Sequence, residues 1–193
     1  MKKSLLIIFL VLIIDQSVKI WIKMNMFLGQ EFQIFDWFII HFTENNGMAF
    51  GMEFGGVAGK LALSVFRIFA VGGIAWYIRK MIIDKAPPVF ITSLSLIFAG
   101  ALGNIIDSLV YGQIFSDSIG RVATLFPEKG YAPILQGKVV DMLNFPLWEG
   151  YLPEWLGGNY FVFFRPVFNI ADAAISIGVA LIILNQKKIF KHV

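Results

Sequence analysis

The sequence predicts an all-α membrane protein: four transmembrane helices, short strands at the outer surface and one long outer loop. Three observations lead there. Of 193 residues, 58% are hydrophobic and 15% charged, against roughly 25% charged in soluble domains. Apolar runs long enough to cross a bilayer recur at 4–27, 57–79, 88–111 and 166–186. With four spans, Lys2, Lys3, Arg79, Lys80, Lys85, Lys187, Lys188 and Lys191 all fall on one side, which makes that side cytoplasmic and places both termini there. The length fits a single domain over 1–193.

Composition also narrows the chemistry. The chain has no cysteine, which excludes disulfides, a thiol nucleophile and thiolate-held metal centres. Its two histidines, His41 and His192, form no cluster with metal-ligand spacing, so neither metal nor cofactor is expected. The net charge of +3 is small, and no nucleic-acid partner is expected.

The first span opens with Lys2, Lys3 and SLLIIFLVLII, the beginning of a secretory signal, but lacks a small-residue cleavage site and runs on to Phe27. It is therefore read as a retained helix. Asp15 and Lys19 lie four apart within it and can pair along one face. From 28 to 54 aromatic and polar residues interleave, with a turn signal at Asn45, Asn46 and Gly47, as expected of short strands at headgroup depth. The second span ends at Arg79 and Lys80. Its Lys60 sits near the outer end, and the deeper Arg67 is expected to snorkel or to bond a neighbouring carbonyl.

Pro87 and Pro88 start the third span, whose far end is GALGNIIDS with Asn104 and Asp107 three residues apart. The loop over 111–165 is too long to lack a functional cause. It carries Asp141 in GKVVDML, a β-favouring run, and FPLWEGYLPEWL, expected to form an interfacial turn of helix. In the fourth span, FNIADAAI repeats the three-residue spacing with Asn169 and Asp172, which places both on one helix face. A carboxylate at mid-span costs about 2.5–3.5 kcal/mol and usually faces a bundle interior or a water-filled cleft.

Counting the helical rise puts Asp15, Asn104, Asp107 and Asp172 all in the outer half of the bilayer. A transporter that alternates access needs polar residues across both halves or at the midplane; a reaction on something held at the outer leaflet needs only this layer. Carboxylates are the abundant group there. Two of them close together share one proton, so one can act as base toward water and the other as acid toward a carbonyl oxygen. Spacing alone leaves open which two of Asp107, Asp141 and Asp172 pair. A Ser/Lys hydrolase using Ser17 or Ser108 with Lys60 is a weaker option, and a non-enzymatic transporter or a subunit binding lipid or a partner helix is the competing class.

Five blocks occur in order: DQSVK at 15–19, NNGMAFG at 45–51, GALGNIID at 100–107, VVDM at 139–142 and FNIADAAI at 168–175. Together they resemble the lipoprotein signal peptidases, or signal peptidase II, membrane aspartic proteases that remove the signal peptide from diacylglyceryl-modified prolipoproteins before the lipidated cysteine. The resemblance implies that Asp141 and Asp172 are the catalytic dyad. It implies that Asn45, Asn104 and Asn169 line the site, that Asp15 and Lys19 form the pair on the first helix, and that Asp107 supports the site. It further implies a small extracytoplasmic β cradle, a bacterial inner-membrane location with the site near the outer face, contact with membrane lipid, inhibition by globomycin, and sufficiency of a monomer. Two departures stand out. Ser108 occupies the position where the family usually has arginine, which leaves Arg67, Arg121, Lys138 and Arg165 as candidate cations, and an insert over about 115–136 lengthens the outer loop.

Overall fold

The computed structural model describes residues 1–46 and 56–189. Positions 47–51 of NNGMAFG, together with Lys191 and His192, lie outside the described residues. Among the described residues, three helices are long and apolar enough to cross a membrane. The first is α1 (Lys2–Asn25) and the second α2 (Gly56–Ile83). The third, α3, begins at Pro88, where proline's missing N–H costs nothing at a helix start. It runs to Ile106, then continues through a wide π turn (Asp107–Tyr111) and a last short turn (Gly112–Ile114). A fourth apolar helix, α4 (Ile170–Leu184), has 15 residues.

α3 is the hub, packing on α1, α2 and α4. Glycine makes the closest approach possible. A Cβ at Gly100 would run into the Ala171 carbonyl, and one at Gly103 would come within 2.7 Å of Asp15 Oδ2. On α2, the buried residues Ser64, Val71, Ile78 and Met81 mark the inward face. Their helical spacing places the half-buried Arg67 on that same face.

Over one end of the helices lies a four-stranded antiparallel sheet in the order β1 (Glu31–Phe35), β2 (Phe38–Asn45), β3 (Val139–Asn144), β6 (Val167–Phe168). The expected strands over 28–54 are thus present as β1 and β2. The start of the fourth helix differs from the predicted 166. Val167 and Phe168 pair with Asn144 and Leu143, and the helix starts only after Asn169, whose side chain accepts from the Asp172 N–H.

FPLWEGYLPEWL also departs from expectation. It contributes β4 (Trp148–Tyr151), which pairs with β5 (Tyr160–Phe163), and only Glu154–Leu156 forms a single 3-10 turn. Pairing satisfies the backbone while leaving Trp148, Tyr151, Trp155 and Tyr160 exposed.

The insert over 115–136 is docked. Phe115 and Ala123 are buried with Ile22 and Met26 of α1, Phe42 of β2 and Val140 and Met142 of β3. The Leu28 N–H donates to the Ser118 carbonyl at 2.8 Å, and the Ala123 N–H to the Lys23 carbonyl at 3.2 Å.

Gly100→Ala therefore forces a Cβ against backbone. The expected result is a destabilisation of about 1–3 kcal/mol, read as a lowered unfolding midpoint of the protein in detergent.

Candidate active site

Residues of α1, α3, α4, β2 and β3 meet where the sheet covers the helix ends. Asn169 is the junction. As N-cap of α4 it accepts from the Asp172 N–H at 2.8 Å, and its own N–H donates to Asp172 Oδ2 at 3.3 Å, a reciprocal capping box. Its amide Nδ2 donates to Asp141 Oδ1 at 2.6 Å, to Asn104 Oδ1 at 3.1 Å and to the Val140 carbonyl at 3.3 Å. Asn104 Nδ2 in turn donates to Asp172 Oδ1 at 2.8 Å. Asp141 and Asp172, 31 positions apart in sequence, thus bind the same asparagine.

Asp141 stands on β3 opposite Thr43 of β2, and Asn45 of β2 donates its Nδ2 to the second Asp141 oxygen. Asp141 is 3% exposed. Burial, and next the charge of Asp172, push its carboxyl up to about 7, against the favourable donors Asn169 and Asn45. A buried acid whose proton affinity is raised, joined to a second carboxyl through shared amide donors, is suited to acid–base work near neutral pH.

Beneath this pair lies a fully buried ionic cluster. Lys19 Nζ is 3.0 Å from Asp15 Oδ2, 2.9 Å from Asp107 Oδ2 and 2.9 Å from Asn104 Oδ1. The expected Asp15–Lys19 pair is therefore present and is joined by Asp107. Each acid reaches beyond the lysine: Asp15 Oδ1 accepts the Ala171 N–H at 2.9 Å, and Asp107 Oδ2 accepts the Val140 N–H at 3.2 Å. One cluster thereby ties α4 and β3, the carriers of Asp172 and Asp141, to α1 and α3.

Every site residue expected from sequence gathers here. Gln16 and Lys23, with their partners Tyr111, Glu44, Ser118 and Tyr131, were missed. Gln16 donates to Asp15 and Asp107 at 3.0 Å each and accepts from the Tyr111 hydroxyl at 3.1 Å. Lys23, fully buried, contacts Glu44 and Ser118 at 2.7 Å each and lies over the Tyr131 ring at 4.9 Å. Asp15, Lys19 and Lys23 stand four apart, a polar stripe on α1 that helical spacing alone would have shown.

The Ser/Lys arrangement is not formed. The Ser108 hydroxyl donates to the Asn104 carbonyl at 3.2 Å, Lys60 holds Asn46 and the Gln136 carbonyl, and Ser17 is exposed. Of the candidate cations, Arg121 pairs with Asp117 at the surface and Lys138 lies 3.5 Å from Glu44.

Long apolar helices, capped by a sheet that joins two acids through shared amides, define a membrane-embedded enzyme. The family model for Signal peptidase (SPase) II matches residues 7–188, and the chain belongs to that family. It is 51% identical over 183 residues to a lipoprotein signal peptidase of Porphyromonas gingivalis (strain ATCC 33277), covering 92% of this chain and 80% of that one. To the lipoprotein signal peptidase of Amoebophilus asiaticus it is 39% identical, covering 92% and 75% respectively. A solved bacterial membrane enzyme, determined by the in meso method, superposes with a TM-score of 0.66 at 28% identity, over 97% of this chain and 89% of that one.

Asn169→Ala removes a helix cap and a donor to Asp141 together. It should lower stability by about 1 kcal/mol, read as an unfolding midpoint in detergent, and slow substrate cleavage.

Proposed function

We propose that Asp141 and Asp172 are the catalytic pair of this signal peptidase II, a protease that cleaves signal peptides from prolipoproteins. The observation that carries the assignment is the shared Asn169, which binds both carboxyls in one network. The substrate is a diacylglyceryl-modified prolipoprotein, cut before its lipidated cysteine. Its acyl chains lie in the outer leaflet and its signal helix beside the bundle, which brings the scissile bond to the gap between the two acids. A water held by the pair attacks the carbonyl carbon, one acid taking the water's proton and the other protonating the carbonyl oxygen. No covalent acyl-enzyme forms. Asn45, Asn104 and Asn169 hold the carboxyls, and the Lys19 cluster holds the elements that carry them. Globomycin is expected to occupy the same gap, and one chain supplies all of these groups.

The topology we propose has α4 as the fourth span, both termini in the cytoplasm of a bacterial cell, the protein in its inner membrane, and the sheet as a cradle at the outer face. Its support is the grouping of Lys2, Lys3, Arg79, Lys80, Lys85, Lys187 and Lys188 at the end opposite the sheet. Because the chain has no cysteine, single cysteines at Lys187 and at Trp155 can be labelled with a membrane-impermeant reagent. In intact spheroplasts the second alone should react.

Asp141→Asn and Asp172→Asn should each reduce cleavage of a lipidated precursor by about a thousandfold or more while the protein still inserts. Full activity in either variant would remove the assignment. With the Asp141 carboxyl pushed up to about 7, the pair keeps its shared proton below that pH and loses it above. The kcat/KM profile should therefore fall as pH rises through this region.

A further inference from the structure

Two lysines join the insert over 115–136 to the end of β2. Each binds the insert on one side and the strand end on the other. Lys23 Nζ, fully buried, contacts Glu44 Oε1 and the Ser118 hydroxyl at 2.7 Å each. Its charge also lies over the rings of Phe115 and Tyr131, both from the insert, at 5.5 and 4.9 Å. Lys60 Nζ, on α2, donates to Asn46 Oδ1 at 2.8 Å and to the Gln136 carbonyl at 2.6 Å.

Between Glu44 and Asn46 stands Asn45, whose Nδ2 donates to Asp141. Asn45 lies opposite Val139 and Thr43 opposite Asp141, so Asn45 and Asp141 are diagonal neighbours on one face of the β2–β3 ladder. Their bond needs the strand end to keep its register. Yet Asn45 is the last residue of β2, and the ends of elements are where local order is lost most easily. Successive residues of a strand face opposite ways, which turns Glu44 to the other side, toward α1 and the insert.

A buried ammonium is sustained only where partners neutralise it and satisfy its protons. Glu44 supplies the charge; the insert supplies Ser118 and two ring faces. The insert is anchored in its own right. The Leu28 N–H donates to the Ser118 carbonyl at 2.8 Å, and just past the insert the Gly137 N–H donates to the Ser108 carbonyl at 2.9 Å. The Tyr131 hydroxyl accepts the Lys138 N–H at 2.8 Å, and Lys138 Nζ comes within 3.5 Å of Glu44.

We propose that the insert is a positioning element of the active site: through Lys23 on one side and Lys60 on the other it holds Glu44 and Asn46, and thereby keeps the Asn45 amide aimed at Asp141. The inference rests on the reading of Asp141 and Asp172 as catalytic. Lys23, Lys60, Glu44 and Ser118 act through Asn45 and exchange no proton with substrate.

The test follows cleavage of a lipidated precursor by the full chain in detergent across pH, with Asn45→Ala as the reference. The double variant Lys23→Met/Glu44→Gln opens one clamp without leaving either charge buried alone. Ser118→Ala removes only the insert's bond to Lys23, and serves if the double variant does not accumulate. Each should lower kcat while KM stays within about threefold, by about tenfold or more for the double variant and by less for Ser118→Ala. In the Asn45→Ala background the same changes should cost no further kcat, because the group they position is gone. They should also move the fall of kcat/KM to higher pH, as should Asn45→Ala, since an Asp141 carboxylate deprived of a donor holds its proton to higher pH. Asp172 and Lys19, the charged groups acting on Asp141, are untouched in these variants. Losses that multiply on top of Asn45→Ala, or a pH profile that stays in place, overturn the proposal, because a general loss of folded protein lowers kcat whatever stands at position 45 and shifts no limb. An Asn45→Ala chain that cleaves at the full rate overturns it too. Retained cleavage by Asp141→Asn or Asp172→Asn would instead overturn the catalytic pair itself, a result read independently of the insert.

Discussion

The structure depends on a single ammonium group held between two carboxylates with no solvent contact. Lys19 lies within 3.0 Å of both Asp15 and Asp107, and all three side chains are fully buried. An isolated charge at that depth is prohibitively expensive, and a pair is sustained only if its remaining lone pairs and protons find partners. Here they do. The spare oxygen of Asp15 takes the second backbone N–H of α4, and Asp107 takes an N–H from β3. The same acids that neutralise the lysine therefore fix the height of the helix bearing Asp172 and of the strand bearing Asp141. Removal of one partner of such a cluster typically costs about 3–5 kcal/mol, which ties the folding of the bundle to the placement of its chemistry.

Asn169 repeats this economy one layer higher. A helix start leaves backbone donors unsatisfied, and a capping box supplies two bonds there. By using Asp172 as the acidic half of the box, the fold orients that carboxyl with bonds that any helix N-terminus requires. The remaining amide protons of Asn169 and Asn104 then connect that carboxyl to the opposing strand. No long side chain is needed, and little conformational entropy is left to lose when substrate arrives.

The legible parts of the sequence were those where one segment states its own physics. The apolar runs announced α1, α2 and α3, the aromatic and polar alternation announced β1 and β2, and the three-residue spacing in GNIID brought its polar groups together, whereas the same spacing in FNIAD is that of a capping box with Asn169 before the helix. What stayed hidden depended on residues distant in sequence. The pairing of Asp141 with Asp172 needed the motif resemblance, because spacing alone treated Asp107 as their equal. The late start of α4 followed from β3 recruiting Val167 and Phe168, which is decided by the partner strand and not by FNIADAAI itself. FPLWEGYLPEWL carried a periodicity too short to separate a surface helix from a hairpin, and pairing with Tyr160–Phe163 decided it. Lys23 was visible as a stripe with Asp15 and Lys19, yet its partners Glu44 and Ser118 come from a strand and from the insert.

The helices differ greatly in length: α2 has 28 residues and α4 has 15. At the helical rise these are about 42 Å and about 22 Å, on either side of a hydrocarbon core of about 30 Å. With α4 as the fourth span, as proposed above, lipid meeting the short wall would compress to match it and draw the headgroups down toward the first turn of α4. Under the proposed topology a peptide bond arriving from the aqueous side has less oil to traverse to reach Asp172, and the fold's own uneven stature would place the cut in a local dimple of the bilayer.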